Sequence, residues 1–152
     1  MTEPRVGGVA RALGFAGLAP AVAATILIAL GEPGAAIVSV GYALLILSFL
    51  GGIWWGFAMR TPTHQAALAA IAVVPSLAAM ALGAGVMISQ GSGWSLVAIG
   101  VALMLTLPVD RWLVRRGMAP AGWMALRVPL SLGLGAVTIL AGALIGQPVV
   151  QY

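Results

Sequence analysis

The sequence predicts an all-α membrane protein, a single domain over residues 1–152 built as an antiparallel bundle of five transmembrane helices. Three observations carry that expectation. Hydrophobic residues make up 62% of the chain and charged residues 7%, mean hydropathy is +1.12, and apolar runs recur at membrane-crossing length. A soluble domain carries roughly a quarter charged residues, whereas a helix crossing a ~30 Å hydrocarbon core needs about 20 apolar ones.

The runs lie near 12–30, 35–59, 66–89, 94–113 and 124–146. The first is longer than the apolar core of a signal peptide and no small-x-small cleavage site follows, so it reads as a retained span. Pro20 falls near its middle and predicts a kink. GEPG (31–34) turns it into the second run. RTPTHQ (60–65) leads into the third, with Thr61 placed as an N-cap and Pro62 at the first helical position. The third run holds Pro75, a second expected kink, with Ser76 beside it and Ser48 at similar depth on the second run as a local polar patch. QGSG (90–93) turns the third run into the fourth. The longest connection, within 110–127, predicts a helix stop at Gly117 and a restart after Pro120. Connections this short make neighbours antiparallel and leave no room for a soluble domain. Five dissimilar runs also argue against the inverted repeats of many transporters.

Orientation follows from the cations. All seven basic residues are arginines: Arg5, Arg11, Arg60, Arg111, Arg115, Arg116 and Arg127. With the N-terminus inside, every one faces the cytoplasm, and the two opposite turns and the C-terminal tail carry none. The positive-inside rule therefore predicts N-in, C-out in a bacterial inner membrane. The high isoelectric point reflects these few arginines and gives no nucleic-acid footprint.

Composition also narrows the chemistry. Without cysteine there is no disulfide, Cys-ligated zinc or thiolate catalysis. The single histidine, His64, sits in a polar turn and cannot supply the three or four ligands that zinc requires. Paired carboxylates and nucleophile–base couples are missing, so neither an enzyme nor a bound metal or cofactor is expected.

What remains are packing and contact residues. Ser48, Gly52 and Gly56 recur every fourth residue and form a flat seam; in lipid such stripes mark close helix approach. Gly17, Ala21 and Thr25 on the first run repeat the pattern, as do Thr138, Gly142 and Gly146 on the fifth. Trp54 and Trp55 lie at interface depth, and adjacent residues point about 100° apart, so one of them is expected to turn inward. Asp110 is a boundary carboxylate, a functional candidate by default. Arg127 is its expected cross-connection partner, tying the fourth helix to the fifth. A ligand or partner contact is thus sought among Trp54, Trp55, Ser76, Asp110 and Arg127.

These segments resemble a known family. YALLILSFLGGIWWGFA (42–58), VVPSLAAMAL (73–82), the connection from Asp110 through GMAPAGWMALRVPLSL (117–132), and LGFAGLAPAVA (13–23) are similar to a domain-of-unknown-function family that includes transmembrane-protein-69-like proteins. The resemblance implies a small multi-spanning membrane protein, and often a His or Arg where this chain has Trp54. The expected role is a non-catalytic accessory or assembly subunit, contacting membrane lipids and other integral membrane subunits. The alternative is a binding or transport protein for a lipid, quinone or other apolar molecule, with its site between the second, third and fourth helices.

Overall fold

A computed structural model describes residues 5–32, 34–61, 63–88 and 93–145. Of these, 84% are helical and none lies in a strand. The helices are α1 (Gly8–Ala16), α2 (Ala19–Ala29), α3 (Ala35–Met59), α4 (Gln65–Ile88), α5 (Gly93–Met104), α6 (Leu107–Arg115) and α7 (Trp123–Ile145). Together they make five stretches long and apolar enough to cross a membrane: Gly8–Ala29, Ala35–Met59, Gln65–Ile88, Gly93–Arg115 and Trp123–Ile145.

Two of the five expected runs are broken rather than continuous. The first divides at Gly17–Leu18, and Pro20 enters the first turn of α2, where its missing N–H costs least. The Tyr42 hydroxyl on α3 donates to the Gly17 carbonyl at this break. The fourth divides at Leu105–Thr106 ahead of Pro108, and the Thr106 hydroxyl donates to the Leu103 carbonyl at 2.7 Å. α4 runs on through Pro75, which is buried inside it, and the hydroxyls of Ser48 and Ser76 meet at 3.0 Å as expected.

The ends follow from local chemistry. Gly117 adopts φ +67°, its N–H bonds the Val114 carbonyl and the Met118 N–H reaches back to Leu113. That left-handed closure is the stop that glycine allows at a helix end. Thr61 corrects its expected role: its hydroxyl donates to the Phe57 carbonyl at 3.0 Å, finishing α3 instead of capping α4. His64, at φ 60°, then precedes α4. Pro62, residues 90–92 of the QGSG turn and Gly146 lie outside the described residues.

Packing concentrates along α3 against α4 and along α5 against α7. Glycine sets both approaches. A Cβ on Gly51 would lie 2.5 Å from the Ala72 carbonyl oxygen, and one on Gly100 would lie 2.7 Å from that of Gly135. Gly142 abuts the Gly93 carbonyl in the same way. The core includes Ala43, Leu47, Leu50, Ile99, Leu103 and Leu134. A second cluster around Trp54, Leu68 and Leu113 lies toward the arginine-bearing ends of α3 and α6. There Val6 donates to the Ala121 carbonyl, bringing Arg5 to the same end.

Candidate functional site

The break before α6 turns Thr106 and Asp110 onto one face, four residues apart. Trp123 and Arg127 share a face of α7 at the same spacing, since residues i and i+4 lie one above the other on a helix. The two pairs meet. Arg127 Nε donates to Asp110 Oδ2 at 2.8 Å, and Arg127 Nη2 donates to Thr106 Oγ1 at 3.0 Å. Trp123 Nε1 donates to Asp110 Oδ1 at 2.9 Å, and Trp54 Nε1 on α3 donates to the same oxygen at 3.0 Å. Asp110 is completely buried and Arg127 is 5% exposed.

This arrangement stabilises an anion that would otherwise be very costly. A buried ion carries a desolvation penalty of several kcal/mol unless paired and fully hydrogen-bonded. Asp110 has an opposite charge on one oxygen and two indole donors on the other. Phe57 packs edge-on against Trp123, with ring centroids 5.5 Å apart and planes at 84°. The carboxylate thus joins α3, α6 and α7 at one point. Both of its oxygens are engaged by protein donors, and it is shut off from solvent.

Beside this knot lies an apolar cavity of about 370 Å³ bounded by α1, the break at Gly17–Leu18, α3, α5 and α7. Its walls include Leu18, Leu50, Leu103 and Leu134, with Trp123, Arg127 and Ser131 on the α7 side. Leu13 and Phe49 also line it and are 68% and 62% exposed, which places its mouth on the outer surface. A smaller groove of about 270 Å³ runs between Trp54, Pro75 and Thr106. A third, polar cavity lies at the arginine-bearing end between Arg60, His64 and Arg116. Arg116 also stacks over the Trp112 ring, 5.4 Å from its centroid.

Comparison with known families decides what kind of chain this is. A family model described as "Protein of unknown function (DUF3429)" matches residues 6–144. The chain belongs to the DUF3429 family. No curated protein and no solved structure matches it. All the helices of this DUF3429 chain but the last residue of α7 fall within the matched span.

The expected contact residues divide into three groups in the DUF3429 chain. Trp54, Asp110 and Arg127 come together, and the expected Asp110–Arg127 ion pair is present. Trp54 is the inward member of the tryptophan pair at 4% exposed, whereas Trp55 faces outward at 45%. Ser76 lies apart, paired with Ser48. Of the seam at Ser48, Gly52 and Gly56, only Ser48 meets α4: Gly51 makes the close backbone approach, and nothing lies within 4 Å of a Cβ built on Gly52 or Gly56. His64 is exposed, and no group of metal-binding side chains occurs among the described residues.

Sequence reasoning missed Thr106 and Trp123 as partners of the carboxylate. The signal that finds them is the pair of four-residue spacings, Thr106 to Asp110 and Trp123 to Arg127. Ser131 was missed as well. It continues the α7 series by one more turn and lines the apolar cavity beside the knot.

Proposed function

We propose that this chain is a non-catalytic integral membrane protein that serves as an accessory or assembly subunit, packing against a larger membrane complex. The observation that carries this reading is the outer face of α3. Gly52 and Gly56 are exposed and open there, flanked by Phe49, Trp55 and Met59, all exposed. Hydrocarbon and protein surface are equally apolar, so helices associate in lipid through close backbone approach and dispersion. A shallow notch between bulky side chains supports seating a foreign helix. The Asp110 knot supports the absence of catalysis, because its acceptor oxygens are already engaged by protein donors.

The arginine distribution supports an antiparallel, N-in, C-out topology in a bacterial inner membrane. Arg5, Arg60 and Arg116 all lie at one end of the bundle. A kinship with the transmembrane-protein-69-like branch rests on residues 42–58 of α3.

The test is isolation in mild detergent with and without leucine at 52 and 56. Expected is a stoichiometric larger assembly that Gly52→Leu/Gly56→Leu releases as folded free protein. Wild-type protein found only as monomer or homo-oligomer would overturn the reading. A second reading, a binding protein for an apolar molecule, is favoured by the apolar cavity beside the Asp110 knot and its lateral mouth. A volume of about 370 Å³ lies toward the lower end of the usual ~300–1,000 Å³ for ligand pockets.

A further inference from the structure

Ser131 is 3% exposed, and its Oγ has no hydrogen-bond partner. It is the sole buried side-chain polar atom so situated among the described residues. It lines the apolar cavity of about 370 Å³ one helical turn beyond Arg127, which lines it too. An orphaned hydroxyl beside hydrocarbon is costly. Arg127 has further capacity: Nε and Nη2 each donate once within the described residues, out of five N–H groups on a guanidinium.

We propose that this cavity binds a neutral amphipath whose carbonyl oxygen accepts hydrogen bonds from Ser131 and Arg127. The proposal rests on the second reading above and names its site and ligand class. Three features select the chemistry. Arginine offers donors and no acceptor, so the occupant must bring an acceptor. The Arg127 charge is already balanced by Asp110 at 2.8 Å, so an anion would enter an apolar site without a free counter-charge. The remaining wall is built almost wholly from Leu, Ile, Phe, Gly and Ala side chains, which accept an apolar ring or chain. The mouth between Leu13 and Phe49 opens sideways, the route by which a membrane-dissolved molecule enters. Ser131 Oγ is buried in the cavity wall, and rotation among its staggered χ1 wells turns it toward a ligand.

A quinone head and the ester carbonyl of a glycerolipid share this chemistry, and two arms separate them. Full-length protein in nanodiscs is titrated with decyl-benzoquinone, reading tryptophan quenching, because Trp123 lines the cavity. A parallel titration uses a diacylglycerol with brominated acyl chains, whose bromines quench by contact. Saturable quenching is expected in at least one arm, and the responding arm identifies the source. Ser131→Ala should weaken it about 2- to 10-fold, the loss of one neutral hydrogen bond. Ala10→Phe, at an exposed position on the cavity wall, should block it without adding an indole to the signal. Circular dichroism and thermal unfolding verify that both variants fold, so a lost signal reports the site. Quenching that rises linearly like partitioning in both arms would overturn the proposal and the reading beneath it. Saturable quenching unchanged in both variants would overturn the site while sparing that reading.

Discussion

Replacing Asp110 by alanine tests whether the buried knot holds the bundle together. The carboxylate is completely buried and receives three hydrogen bonds, from Arg127 Nε, Trp54 Nε1 and Trp123 Nε1. Its loss leaves Arg127, 5% exposed, as an uncompensated cation. Removing one partner of a buried pair costs about 3–5 kcal/mol, and each orphaned indole donor adds up to ~1–3 kcal/mol. The lower end, about 3 kcal/mol, is already a change of roughly 100-fold in the unfolding equilibrium. The assay is reversible unfolding by SDS in mixed micelles, followed by tryptophan emission. A companion variant, Asp110→Leu/Arg127→Met, removes both charges and should recover much of the loss, because apolar replacement of a buried pair is often neutral or better. The orphaned indoles remain, so recovery is incomplete. Asp110→Ala within 1 kcal/mol of wild type, or a double variant worse than Asp110→Ala, would refute the reasoning.

In the same assay Trp123→Phe should cost about 1.5–3 kcal/mol, since it deletes a hydrogen bond to a charged acceptor, while Trp55→Phe on the outer face should be near neutral. Gly51→Leu should destabilise by at least ~1–3 kcal/mol through overpacking against the Ala72 carbonyl; Gly52→Leu, one residue on, should leave monomer stability within ~0.5 kcal/mol. Tyr42→Phe should cost about 1 kcal/mol by freeing the Gly17 carbonyl at the break between α1 and α2.

The five spans were legible because the lipid core imposes a minimum length of apolar chain, and Gly117 because its left-handed turn ends a helix. The Asp110–Arg127 pair was legible because a boundary carboxylate needs a cation and the facing helix offered one. Which glycine faces inward was not. Gly51 and Gly52 are the same residue on faces 100° apart, and in a bilayer the inward and outward faces are both apolar. Amphipathic periodicity, which orients a helix in water, is therefore erased. The break ahead of Pro108 was hidden by the unbroken hydropathy of the fourth run, and with it the rotation that brings Thr106 and Asp110 to Arg127. The Trp123 N–H found a buried acceptor across the bundle. Trp54 likewise supplies an N–H donor aimed at Asp110.

The most direct test of the accessory-subunit reading is extraction of the native protein in mild detergent or nanodiscs, with co-migrating proteins identified and quantified by mass spectrometry. The expected result is a fixed ratio to other integral membrane subunits, abolished by Gly52→Leu/Gly56→Leu while the released protein keeps its fold. Recovery of the wild-type chain solely as free monomer or homo-oligomer, or an assembly indifferent to both substitutions, would contradict it.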